Sequence, residues 1–311
     1  MAFVGRSILG RILLLACLLY ACLGSGCGLR GWELLRRLEQ QEKEQGWRIL
    51  ADNTDLCLVD IRTKSLITVY EERHDLRYEH MSGGSFSPDG TKITFTHRNA
   101  LVVFDLVQRR EDVLLEMRHL EGARWSPTGE VIAFQGGPDH RGIYNLYFFR
   151  LRDKKVSLVV EQEIGPGDSQ FAWRRDGKGL VFEDLKRNIW MLDLDTRQRQ
   201  CLGSGHFPSW SPDGRYIAYG TEQEDFLYDL TTGQKKTIFA GEEVLGALVW
   251  SPDSRYVVYA KPRFLPRLFG KISGSLWVTD LQTGTTVPLY SEGPNIGPVD
   301  WVAGVPASVG N

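Results

Sequence analysis

The sequence predicts an all-β protein, a six-bladed β-propeller closed by a C-terminal strand that completes the N-terminal blade. Three observations predict it: a hairpin motif recurs five times, a second strand signature recurs beside it, and the two chain ends supply complementary parts of one further unit. The motif reads SFSPDGTKITF from Ser85, RWSPTGEVIAF from Arg124, AWRRDGKGLVF from Ala172, SWSPDGRYIAY from Ser209 and VWSPDSRYVVY from Val249. A truncated copy, Val299-Asp300-Trp301, follows near the end. The aligned aromatics Phe86, Trp125, Trp173, Trp210, Trp250 and Trp301 are 39, 48, 37, 40 and 51 residues apart. A fixed motif at irregular spacing means constant strands joined by loops of variable length.

The first 27 residues read as an export signal. Arg6 and Arg11 precede the apolar run Ile12–Leu23, which is too short to cross a bilayer and ends in Gly24-Ser25-Gly26-Cys27. Three of the five cysteines (Cys17, Cys22, Cys27) crowd into this segment, which resembles a bacterial lipoprotein signal with its small residues before an acylated cysteine. Cys27 is favoured because it leaves the longer apolar region intact. Cys22, three residues after Leu19, is the alternative, and a plainly cleaved signal or an uncleaved anchor remains open. Residues 28–46 carry Trp32, Leu35 and Leu38 at helical spacing followed by a charged run, which predicts an amphipathic helix or tether.

Residues 47–303 form the ring. In each motif Pro presets φ at the second turn position, Asp suits the third and Gly supplies positive φ at the fourth. Alternating residues follow, such as Ile93 and Phe95 or Ile217 and Tyr219. The second signature is LCLVDIRT from Leu56, LVVFDLVQ from Leu101, NLYFFRLR from Asn145, NIWMLDLD from Asn188, FLYDLTTG from Phe226 and SLWVTDLQTG from Ser275. It predicts a third strand turning tightly into a fourth, as at Val113–Leu115 or Lys236–Phe239. Such four-stranded units are propeller blades. The chain opens on Trp47-Arg48-Ile49-Leu50 and LCLVDI, second and third strands lacking a first, and the strand at Trp301 supplies it. Residues 304–311 are a tail. Cys57 and Cys201 then fall in the first and fourth blades, across the ring from one another, where no disulfide can join them; two free thiols are tolerable in an exported protein if buried.

Composition narrows the functions available. With 37 Lys+Arg against 39 Asp+Glu, no cation excess exists for binding a nucleic-acid backbone. GxSxG elbow, P-loop, dinucleotide glycine pattern and CxxC pair are all missing. The recurring aromatics read as wedges between blades and the turn aspartates (Asp89, Asp176, Asp213, Asp253) as turn chemistry. Thr128, Ser254 and Arg174-Arg175 depart from the motif as ordinary repeat drift.

Binding residues are expected on the face formed by the second-to-third loops and the blade-to-blade connections, because the opposite face consists of tight turns. Three segments there stand out. One, 71–84, carries His74, Tyr78 and His80; the second, 136–144, carries His140 and Arg141; the third, 261–274, interleaves Lys261, Arg263, Arg267 and Lys271 with Phe264, Leu265, Leu268 and Phe269. The last suggests contact with a protein groove or an anionic membrane, or else folds its apolar residues over the blade. All six histidines, His97, His119 and His206 included, fall on this face. None pair at metal-ligand spacing, so no metal or other cofactor is predicted.

The run of SPDG hairpins with aromatic first strands, behind an export signal, resembles the propeller domain of the TolB family and its WD40-like PD40 repeats, over Trp47 to Trp301. TolB is a periplasmic protein with an α/β domain ahead of its propeller, and it joins the Tol–Pal envelope system by binding a peptidoglycan-associated lipoprotein. This chain departs by carrying only a short segment before the ring and its own lipidation signal. The resemblance implies a monomeric, non-enzymatic envelope scaffold, outer-membrane if the cell has two membranes. It would engage a protein or peptide partner through the long-loop face and channel, using His74, Tyr78, His80, His119, His140, Arg141, His206, Arg263, Phe264, Arg267 and Phe269. The rival is a metal-dependent enzyme or small-ligand sensor on the histidine-bearing face.

Overall fold

A computed structural model describes residues 27–52, 55–61, 63–70, 82–97, 99–137, 143–165, 167, 170–241, 244–263, 273–290 and 297–305. Among the described residues a helix, α1 (Cys27–Gln45), comes first and the regular elements after it are strands. The first unit contains β1 (Arg48–Asp52), β2 (Leu56–Asp60) and β3 (Ser65–Tyr70). The second contains β4 (Ser82–Phe86), β5 (Lys92–His97), β6 (Ala100–Asp105) and β7 (Arg110–Glu116). The third contains β8 (Leu120–Trp125), β9 (Val131–Gly136), β10 (Tyr144–Arg150) and β11 (Lys155–Ile164). Then come β12 (Phe171–Trp173), β13 (Gly179–Glu183), β14 (Asn188–Asp193) and β15 (Arg199–Ser204). The fifth unit is β16 (His206–Trp210), β17 (Tyr216–Gly220), β18 (Glu224–Asp229) and β19 (Lys235–Ala240). The sixth is β20 (Leu245–Trp250), β21 (Tyr256–Arg263), β22 (Ser273–Asp280) and β23 (Thr285–Tyr290), and β24 (Gly297–Val302) ends the series.

Each unit is an antiparallel meander, and β24 takes the inner position of the first, beside β1. Ile49 faces Trp301 and Arg48 faces Val302 across that pair. The fold is therefore an all-β propeller closed by its last strand, as the repeat predicts. One parallel bridge, Gly83 to Ala123, ties β4 to β8. Here two backbones approach so closely that a Cβ on Gly83 would lie 3.0 Å from Gly122 Cα, and φ is +66°. Only glycine fits.

The core lies between neighbouring blades. Trp301 meets Trp47 edge-on at 5.5 Å, and Trp47 meets Tyr256 at 6.3 Å. Phe86, Trp125, Trp210, Trp250 and Trp301 are all buried, which makes them the wedges the repeat implies. Into the seam between the sixth and first units α1 inserts Leu34 and Leu38. Gly31 approaches Val287 so closely that a Cβ would sit 2.9 Å from its Cγ1. The buried stripe is thus Gly31, Leu34 and Leu38, with Leu35 beside it. Trp32, expected on the apolar face, points outward and is 62% exposed, because the close approach to β23 leaves room for a glycine and not for an indole.

The tight turns hold themselves closed. Ser87, Ser211 and Ser251 each donate a hydroxyl hydrogen bond to the aspartate two residues on (Asp89, Asp213, Asp253), at 2.6 Å in every case. The same hydroxyls accept the backbone N–H of Lys92, Tyr216 and Tyr256. The serine of the motif is a clasp across the hairpin. A second clasp links the start of the second strand to the end of the third: Lys92 to Asp105 at 2.6 Å, Arg215 to Asp229 at 2.8 Å and Arg255 to Asp280 at 2.7 Å. The other carboxylate oxygen of each aspartate accepts N–H groups of the following turn, such as Gln108 and Thr231. In the fourth unit Arg174 takes both parts, donating to Asp176 at 2.8 Å and reaching Asp193 at 3.4 Å. Ser254 holds φ at +61° where glycine is usual, and its Oγ accepts the N–H of Asp213 from the neighbouring blade. These departures from the motif carry bonds of their own.

Cys57 is buried on β2 and Cys201 lies on β15, with no disulfide between them. Cys201 is exposed, because it stands on an outermost strand of its sheet.

Candidate functional site

The inner strands of all six units surround a cavity of about 320 Å³ on the ring axis. Each contributes to its wall: Ser85, Arg124, Trp173, Ser209, Trp250 and Asp300 in turn. A hollow of about 360 Å³ shares part of this lining and reaches the tight-turn face, where Pro88, Pro127, Pro212 and Pro252 edge it together with Arg175. The prolines that shape the hairpins thus also form an apolar mouth.

Asp300 and Arg124 are the charged residues in the cavity lining. Asp300 Oδ2 accepts the backbone N–H of Phe86 at 2.7 Å and its Oδ1 that of Trp301 at 2.8 Å. Ser85 also bonds to it, and Arg124 lies close enough to act on its charge. Arg124 in turn donates to the carbonyl of Gly84 at 2.9 Å, and Ser85 Oγ accepts the N–H of Trp125 at 2.9 Å. Asp300 is half-buried at the cavity wall. Burial pushes its pKa above the ordinary aspartate value, against the pull of Arg124 and the hydrogen bonds. The motif contains the signal for these residues: the position before each aligned aromatic is Ser85, Arg124, Ala172, Ser209, Val249 and Asp300, so two copies place a charge where the others place small or apolar groups.

The second assembly of titratable groups lies on the long-loop face, between the fourth and fifth units. Glu183, at the end of β13, accepts the N–H of Phe207 at 3.1 Å. Burial raises its pKa, against that hydrogen bond and Arg187. His206, at the start of β16, has its pKa lowered, first by burial and then by Arg187, which leaves the imidazole neutral near pH 7. The Arg187 loop is held by Asp184, which accepts the backbone N–H groups of Lys186 and Asn188 and the indole N–H of Trp190. The sequence singles out His206 but not Glu183 and Arg187, whose relation to His206 depends on how two blades pack.

The remaining expected residues are dispersed. His119 is exposed with φ +56°, and its backbone N–H donates to Asn99 Oδ1 at 2.8 Å, so it shapes the connection into the third unit. Far round the ring from His206, it shares no cluster with it. His97 borders a separate hollow of about 900 Å³ between the first and second units, with Tyr70, Arg109 and Glu111. Among the described residues no three His, Cys, Asp or Glu converge as metal ligands. Arg263 ends β21. His74, Tyr78, His80, His140, Arg141, Phe264, Arg267 and Phe269 lie outside the described residues, as does Cys22; Cys27 is the first residue of α1.

A closed ring of antiparallel blades around an axial cavity defines a β-propeller. Solved structures agree. TolB from Acinetobacter baumannii superposes with a TM-score of 0.67 at 19% identity, covering 82% of this chain and 66% of that one. A TolB-type protein from Agrobacterium tumefaciens gives 0.62 at 17% identity, covering 84% of this chain and 97% of its own. An oligogalacturonate lyase in complex with manganese gives 0.53 at 13% identity, covering 83% and 84%. The sequence matches no protein-family model and no curated protein. At these identities the likeness is one of fold.

Proposed function

We propose that this protein is a non-enzymatic binding scaffold of the cell envelope. It is exported, held at a membrane by a lipid on Cys27 or Cys22, and engages a protein or peptide through its long-loop face and axial cavity. The observation that carries this reading is the division of labour between the two faces. Serine–aspartate and arginine–aspartate clasps occupy the tight-turn face, whereas the irregular loops and the Glu183–His206 assembly lie on the other. A rigid ring with one variable face is suited to recognition. TolB-like propellers are the structures it resembles, which supports the envelope setting.

The test is capture of partners from envelope extracts with the whole protein. Replacing 264–272 by a short linker, or scrambling 71–81, should remove a captured partner while leaving the thermal unfolding midpoint in place. Capture unchanged by both would overturn the reading. A stoichiometric transition metal in the purified protein, lost in a His80/His119/His206 triple variant, would replace it with the metal-dependent alternative. Mass spectrometry of the mature N-terminus tests the anchor: an unmodified residue there refutes it.

A further inference from the structure

We infer that the first turns of α1 form a surface that rests on an anionic bilayer, so that the ring stands with its tight-turn side toward the membrane and its long-loop face away from it. This rests on the anchoring part of the proposed function and adds an orientation to it.

Three observations carry the inference. First, α1 is docked. Leu34 and Leu38 are buried against Tyr256, Val287 and Trp301. Arg30, Glu33 and Arg37 border a hollow against Asp280, Thr283 and Thr285, at the turn from β22 to β23. At its other end the carbonyls of Gln45 and Gly46 accept the N–H groups of Gly304 and Val305, beside the Gly90 turn. All of these contacts are at the tight-turn ends of strands, so a membrane attached at Cys27 meets the ring from that side.

Second, the solvent face near Cys27 has the chemistry of a membrane interface. Trp32 is 62% exposed, and the Arg36 guanidinium stacks over its ring at 5.6 Å. Tryptophan and arginine together suit the headgroup layer, where an apolar body and a charged tip both find their solvent.

Third, charge is sorted along the helix. Cys27–Arg37 holds Arg30, Arg36 and Arg37 against Glu33 alone, while residues 38–45 hold Glu39, Glu42 and Glu44 against Lys43 alone. This order opposes the helix dipole, which favours acids at the start and bases at the end. Helix stability does not explain it; an anionic surface at the Cys27 end does. The occupant is fixed by the chain itself, since the apolar run Ile12–Leu23 and the candidate acylation sites immediately precede this helix.

The experiment uses the full chain produced in its host and reconstituted in vesicles of phosphatidylcholine and phosphatidylglycerol, some lipids carrying a headgroup nitroxide quencher. In a Cys201→Ser background, a fluorophore is placed through Gln282→Cys, exposed at the tight-turn end of the sixth unit, or through Gln223→Cys, exposed on the long-loop face of the fifth. Quenching should be several-fold stronger at position 282. Adding Trp32→Ala with Arg30→Glu and Arg36→Glu should shrink that difference while the protein stays membrane-bound. Bound protein quenched equally at both positions, or more at 223, overturns the orientation and leaves the anchor standing. Protein that remains in solution overturns the anchor itself.

Discussion

The two faces of the ring follow opposite rules. On the tight-turn face the same bonds recur from blade to blade, and substitutions in the motif are compensated by new bonds, as at Arg174 and Ser254. On the long-loop face the side-chain pairings of the described residues are individual: Glu183 and His206 meet between one pair of blades and have no counterpart at the next described seam. A repeat protein must satisfy the same packing problem in every unit, so repetition marks what the fold requires. Departure from repetition marks what is free for function. Asp300 belongs to both regimes, occupying a repeated position with a charge that the repeat does not call for.

The contrast predicts where substitutions act. The largest effect is expected at ring closure: Trp301→Ala removes the edge contact to Trp47 and leaves a cavity in the seam, at a cost of about 3–5 kcal/mol by chemical denaturation. A similar loss from substitutions at the loop segments 71–81 or 264–272 would erase the distinction between the faces. Next comes Arg255→Ala, which strands the nearly inaccessible Asp280 carboxylate and should cost about 2–3 kcal/mol.

Acid should then separate the two kinds of aspartate. The N–H of Gln108, followed by the Lys92 amine, holds Asp105 below its ordinary value, and the Arg215 guanidinium does so for Asp229. Such groups stabilise the fold above pH 3.8, and that contribution is lost as pH falls through their lowered values. Asp300 has the opposite sign: its raised pKa favours the fold while it is protonated, and that contribution is lost as pH rises from 3.8 through the raised value. Relative to an Asp300→Asn variant, the wild type should therefore gain stability as pH drops from 7 to 4, measured by denaturation midpoints. A constant difference would show that Asp300 titrates as an ordinary surface acid. The smallest effect is expected for Ser254→Gly. Relief of positive φ and loss of the hydroxyl acceptor for Asp213 nearly cancel, leaving a change within about 0.5 kcal/mol.

The fold was legible because its information is local. SPDG specifies a turn within four residues, and the aromatic before it specifies a seam. What the motif's serine does was less visible, since its two bonds to Asp89 and Lys92 appear only once the hairpin is closed. The ion pairs were readable in hindsight, because a base follows the turn and pairs with the aspartate that ends the third strand in three units. Glu183 and Arg187 were not readable at all: their relation to His206 depends on the packing of two blades, which no spacing within one repeat encodes. For α1 the period was right and the phase wrong, because a requirement for close backbone approach at Gly31 outweighs the hydrophobicity of Trp32.

The pairing of β24 with β1 sets a timetable. Ile49 cannot find Trp301 until almost the whole chain has been made, and until then Trp47 lacks its edge contact with Trp301. Contacts this distant in sequence are slow to form, because a very long loop must close before they return any energy. Until that moment both terminal seams stay open, so the joint that makes the finished ring rigid is the last to be fastened.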